Sequence, residues 1–213
     1  MSAEGAGGGA GDVFERVAEL LRLARTALSE ATTVLFRPTA KGEKKMAAVD
    51  RALGELWQEA EDLVSAGLAT GADQDGDIRT VITDMYVGED VGRMGVLARQ
   101  VADIAWARQT KPPLPGPVGD AVRGIGEDCL ALIDGARDAV ASPTAAPGTD
   151  ARLADITDQH VRLCRVLLSG SASLDVVDAV DVSVLSRCYV EYAQRAASVA
   201  LHMALFRETA PSS

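Results

Sequence analysis

The sequence predicts an all-α fold of six helices, arranged as two tandem antiparallel three-helix bundles. Three observations carry this. Apolar residues recur at steps of three and four along the chain, and no segment alternates with the period of two that a half-buried strand requires. The run Lys111-Pro112-Pro113-Leu114-Pro115-Gly116-Pro117 places four prolines near the midpoint, which no helix interior tolerates. On either side of that run the same order of shorter, shorter and longer helical pattern recurs. Aromatic residues make up only 4% of the 213 residues, which suits close-packed helices better than a β-sandwich.

The elements follow in order. Residues 1–11 are Gly- and Ala-rich and are expected to form a flexible tail. Asp12 is the expected N-cap of a first helix whose face carries Val13, Val17, Leu20, Leu21, Ala24 and Leu28, and which Pro38 ends. A second helix carries Met46, Val49, Leu53, Leu56, Ala60 and Leu63, until Gly71 and the stretch Asp73-Gln74-Asp75-Gly76 break it. The third starts near Asp77 and runs to about Arg108, roughly 45 Å at 1.5 Å per residue. Residues 12–110 form the first repeat, 111–117 an extended linker and 118–208 the second repeat. There a fourth helix with Val118, Val122, Ile125, Cys129 and Ile133 ends before Pro143. The fifth carries Ile156, His160, Leu163 and Cys164 and stops at Gly170; the sixth spans about Leu174 to Arg207. Val81, Met85, Leu97, Val101, Ile104, Val184, Leu185, Cys188, Val199 and Met203 are the expected buried positions of the two long helices.

Composition narrows the function classes. The formal charge of −10 opposes phosphate backbones and anionic lipid surfaces, which argues against a general nucleic-acid or membrane binder. No apolar run approaches the roughly 20 residues that span a bilayer, and no leader is visible, so a cytoplasmic protein without membrane insertion is expected. Cys129, Cys164 and Cys188 are widely spaced in apolar patterns and are expected as buried free thiols. No Gly-x-Ser-x-Gly elbow, P-loop or dinucleotide fingerprint is present, so no catalytic residue and no cofactor is assigned and no enzyme activity is expected.

The two long helices hold the distinctive segments: Asp77-Ile78-Arg79 with Asp90-Val91-Gly92-Arg93-Met94-Gly95, and Val180-Asp181-Val182-Ser183-Val184-Leu185-Ser186-Arg187-Cys188-Tyr189. These resemble the PhoU family of phosphate-uptake regulators, the second segment its actinobacterial branch. The motif positions are Asp77, Arg79, Asp90, Arg93, Gly95, Asp181, Arg187 and Tyr189. The resemblance implies an intracellular helical protein of two three-helix repeats that self-associates, a homodimer included. It also implies a regulatory adaptor whose protein partners are the ATPase of the phosphate ABC transporter and a sensor histidine kinase. Many relatives carry acidic E/D-x-x-x-D clusters on each long helix, where carboxylates four residues apart share a cation. At the four matching places this chain has Gly92, Val96, Val190 and Gln194, so the family's metal cluster is expected to be absent.

Asp84, Glu89 and Asp90 remain as weak residual cation candidates; the competing reading is a solvated acidic face with Glu89 paired to Arg93 at four-residue spacing. Glu191 and Arg195 invite the same reading. Asp77 fits a helix cap as well as a ligand. Arg79, Arg93 and Arg187 fit structural pairing or a partner contact, and His160 and His202 fit structural roles. Lys41, Lys44 and Lys45 form a basic tip that is either solvated or a contact for an acidic partner. Three functions compete: the regulatory adaptor, a carboxylate-bridged metal protein, and a non-metal-binding scaffold paralogue with a different partner. The second needs inward Glu-x-x-His sets that the sequence lacks.

Overall fold

A computed structural model describes residues 8–36, 42–72, 78–114, 116–142, 149–170 and 174–208. They form α1 (Gly8–Phe36), α2 (Gly42–Ala72), α3 (Ile78–Ala107), α4 (Gly116–Ala141), α5 (Thr149–Leu168) and α6 (Val176–Glu208), and no strand occurs among them. Asp77 and Lys41, named above as a cap and as part of the basic tip, lie outside the described residues.

The helix ends show how the sequence sets the boundaries. Asp175 caps α6, its Oδ1 accepting from the amide of Asp178 at 2.7 Å. Gly170 closes α5 in the left-handed region, φ 68°, where a Cβ would be strained. At the end of α3 the amides of Gln109 and Lys111 bond to the carbonyls of Trp106 and Arg108, tightening the chain into the proline run. Two boundaries differ from expectation. α1 begins at Gly8, so Asp12 lies inside the helix and does not cap it. α4 begins at Gly116 and takes Pro117 into its first turn, where the missing amide has no helical partner to lose. The expected order of lengths holds only in the second half: α3 has 30 residues against 31 for α2, whereas α6 has 33 against 26 and 20.

The halves join along two seams, α3 on α6 and α1 on α4, while α2 lies against α1 and α3, and α5 against α4 and α6. A single buried apolar cluster runs through both halves. Tyr192, fully buried on α6, donates to the carbonyl of Ala24 on α1 at 2.7 Å, and Tyr189 pairs with Thr32 on α1 at 2.9 Å. Gly95 has a packing reason: a Cβ there would run into the Trp57 indole, so the motif glycine lets α2 close on α3.

Leu97, Val101, Leu185, Cys188, Val199 and Met203 are buried as expected, and each such aliphatic side chain contributes about 1.5–3 kcal/mol by leaving water. Val81 and Ile104 are only half-buried, and Met85 and Val184 are exposed, at 52% and 40%. The reason is position. α3 and α6 are each flanked by several helices, so apolar residues spread around them and periodicity does not mark which stripe stays open. The buried stripe of α3 instead takes in Val87, Val91, Met94 and two carboxylates, Asp84 and Asp90.

Candidate functional site at the seam of the two long helices

α3 and α6 run antiparallel, and polar contacts bridge them along their length. Arg93 Nε donates to Glu191 Oε1 at 2.7 Å, and Arg195 Nη1 donates to Asp90 Oδ1 at 2.9 Å. Toward the start of α3, His202 stacks on Tyr86 with ring centroids 5.0 Å apart. Its Nδ1 stands 3.8 Å from Asp90 Oδ2, an oxygen with no hydrogen-bond partner. Toward the other end, Cys188 Sγ donates to Gln100 Oε1 at 3.4 Å.

These pairs differ from the expected ones. Sequence spacing suggested Glu89 with Arg93 and Glu191 with Arg195, each within one helix; both arginines bond across the seam instead. An acidic residue of the opposite helix stands opposite each guanidinium, and Glu89 remains on the exposed side. The two pairs are energetically unlike. Arg93 is 41% exposed, so its pair contributes about 0–1 kcal/mol. Arg195 is about as exposed, at 37%, but its carboxylate is deeper than Glu191: Asp90 is 5% exposed, and removing Arg195 would leave it without a partner at a cost of about 1–3 kcal/mol.

The residual acidic candidates do not converge. Asp84 and Asp90 are six residues apart, which turns them about 120° from one another around α3. Asp84 is 2% exposed, its Oδ1 is unpartnered, and burial pushes its carboxyl up to about 6 while Arg16 of α1 acts in the opposite direction. Of the four places where the resemblance implies ligands, Gly92 is half-buried with open space where a Cβ would stand, Val96 and Gln194 are exposed, and Val190 is 1% exposed and turned into the core. Among the described residues no three His, Cys, Asp or Glu side chains come together as a ligand group. This donor set does not fit a carboxylate metal cluster: three of the four side chains carry no oxygen, and the fourth is a neutral amide.

The remaining motif residues are dispersed. Arg79 is half-buried in the first turn of α3, Arg187 is exposed, and Tyr189 lies in the core. Asp181 belongs to a cluster that sequence reasoning missed: Arg108 Nη1 donates to Asp178 at 2.5 Å and to Asp181 at 3.0 Å, and Lys111 Nζ reaches Asp178 at 3.1 Å. The signal for it was the coincidence of basic residues just after α3 with acidic residues opening α6. His160 Nδ1 lies 2.9 Å from Ser186 Oγ, joining α5 to α6, and burial lowers its proton affinity. All three cysteines are free thiols, but only Cys129 and Cys188 are buried as expected and Cys164 is half-buried; burial pushes Cys188 up to about 11 and Cys129 higher still, which keeps both protonated at neutral pH.

Comparison with known proteins follows the same lines. The chain is 30% identical over 191 residues to the phosphate-specific transport system accessory protein PhoU homolog 2 of Mycobacterium bovis, covering 89% of this chain and 90% of that one. The Mycobacterium tuberculosis protein of the same name matches to the same extent. PhoU homolog 1 of Mycobacterium leprae is 28% identical, covering 89% of this chain and 86% of that protein. The crystal structure of PhoU from Pseudomonas aeruginosa superposes with a TM-score of 0.75 over 93% of this chain and 97% of that one; at 18% identity it is a likeness of fold. No family model matches the chain.

Proposed function

We propose the following role for this chain, which belongs to the PhoU family of phosphate-specific transport accessory proteins: it is a regulatory adaptor of phosphate transport and phosphate-starvation signalling, acting through protein contacts and without chemistry of its own. The observation that carries this reading is the 30% identity extending over 89% of the chain, both long-helix motifs included. The surface supports it. α3 and α6 both carry exposed apolar residues, Met85, Val96 and Trp106 on one helix and Val184, Leu201 and Leu205 on the other, the kind of side chains that protein interfaces bury.

The partners we assign are the transporter ATPase and a sensor histidine kinase, with self-association as a dimer. The absence of any described helix long and apolar enough to cross a membrane is compatible with a cytoplasmic place of action. We further propose that the α3–α6 seam works without the metal clusters of many relatives, because Gly92, Val96, Val190 and Gln194 supply no carboxylate.

A tagged full-length chain recovered from phosphate-replete and phosphate-starved cells tests the role. The transporter ATPase or the kinase should be enriched with it, in amounts that change with phosphate supply. A second reading, a scaffold paralogue with a different partner, is favoured by the lost carboxylates alone. Recovery of an unrelated partner in amounts indifferent to phosphate would establish that reading and overturn the adaptor.

A further inference from the structure

The Arg108 cluster has a second side. A cavity of about 260 Å³ lies between the end of α1, the α3–α4 connection and the first turn of α4. Three cations, Arg108, Lys111 and Arg123, line it, against one carboxylate, Asp120. Asp178 and Asp181, which hold the Nη1 edge of Arg108 and one side of the Lys111 ammonium, are not among its walls.

Three features of this cavity point to an acceptor. Arg108 is 7% exposed, yet its Nη2 is buried without a hydrogen-bond partner. A charged donor left unmatched inside a protein is costly, and what it lacks is an oxygen. Arg123 lies with its guanidinium carbon 4.3 Å from the centroid of the Phe36 ring. Stacking of that kind fixes the plane of a guanidinium and leaves its N–H edge for acceptors. Finally, α4 starts at the cavity wall with Gly116, whose amide has no acceptor within the helix and stands at the positive end of its dipole, while Pro117 beside it has no N–H to offer.

We propose that this cavity binds a small tetrahedral oxyanion of the phosphate or sulfate class, held by Arg108 Nη2, Lys111, Arg123 and the Gly116 amide at the start of α4. The ligand fastens the ends of α1 and α3 to the start of α4, at the connection between the two repeats. Nothing in this site depends on the adaptor reading; it stands on the cavity and its unmatched donor. The net charge of −10 repels anions at long range, so attraction has to come from these local contacts.

The test is calorimetric titration of the full chain with inorganic phosphate and, separately, sodium sulfate, with chloride at matched ionic strength as the reference. One anion per chain is expected to bind saturably. The Lys111→Gln/Arg123→Gln double variant should bind at least about tenfold more weakly, since each change removes a charge-assisted hydrogen bond. Arg123→Gln alone, at an exposed position, should show a smaller loss in the same direction, and circular dichroism confirms that each variant is folded. Arg22→Gln, paired with Glu19 on α1 outside the cavity, should bind as the wild type does. Absence of saturable binding by both anions, or equal affinity of the folded Arg123→Gln variant and the wild type, overturns the proposal.

Discussion

α3 and α6 occupy matching places in the two halves, and they fill those places with different chemistry. Aligned through Gly92 and Val190, Val91 and Met94 of α3 correspond to Tyr189 and Tyr192 of α6. The α3 pair is purely apolar, whereas both tyrosines carry their hydroxyls to α1 of the other half. α3 buries two carboxylates, Asp84 and Asp90, beside the hydroxyl of Thr83, whereas α6 buries no carboxylate, only the hydroxyls of the two tyrosines and Ser186 among its oxygen groups. The same alignment sets Arg93 against Glu191, and these two bond to each other at 2.7 Å. Two identical copies would face like charge with like at such a contact. A tandem chain is free to make the matching positions opposite in sign, and here it does.

The comparison is broken most severely through the core. Leu97→Asp on α3 should abolish cooperative unfolding, since a buried unpaired charge costs several kcal/mol against a total of roughly 5–15. Val184→Asp on α6, at a position 40% exposed, should melt within a few degrees of the wild type, although its spacing in the sequence suggested the same burial. Thermal denaturation of the two variants separates them.

Next in size is the deeper ion pair. Arg195→Ala strands Asp90 and should cost about 1–3 kcal/mol in urea unfolding, with Asp90→Asn/Arg195→Ala recovering part of the loss.

Asp84 offers an effect of opposite sign. Its folded-state carboxyl titrates near 6, above the ordinary 3.8, so the folded protein holds an extra proton between about pH 4 and 6. Stability from this group is therefore present at low pH and lost as the pH rises through 6. Asp84→Asn should gain about 1–3 kcal/mol at pH 7.5 and nothing at pH 4, read as the difference between variant and wild-type unfolding curves.

The smallest effect belongs to the exposed pair. Arg93→Glu or Glu191→Arg alone should cost about 0.5–1 kcal/mol, and the combined exchange should restore most of it. A double-mutant cycle in low salt checks this.

Much of the fold was written in residues whose backbone chemistry leaves few choices. The proline run ends α3, and Gly170 ends α5 with its positive φ. The start of α1 escaped because a Gly/Ala-rich run resembles a tail by composition, yet the helix continues through it to Gly8. The open stripes of α3 and α6 escaped because a helix with neighbours on several sides has no single apolar face. For the candidate site, the identities of Gly92, Val96, Val190 and Gln194 were plain, but not that Val190 turns into the core. Spacing along one helix pointed to Glu89 and Arg93; it has no means of registering Glu191, 98 positions away, as the true partner.

Ion pairs stand at this seam and Gly92, Val96, Val190 and Gln194 bring no carboxylate to it, and metal analysis of the purified chain tests most directly the proposal that it works without metal. Elemental analysis without chelator should find iron, zinc and manganese well below one equivalent, and millimolar Mg²⁺, Mn²⁺ or Fe³⁺ should leave the melting temperature unchanged, since a ligand that does not bind the folded state cannot stabilise it. Near-stoichiometric, tightly held metal, lost together with stability on substitution of Asp84, Glu89 or Asp90, would contradict it.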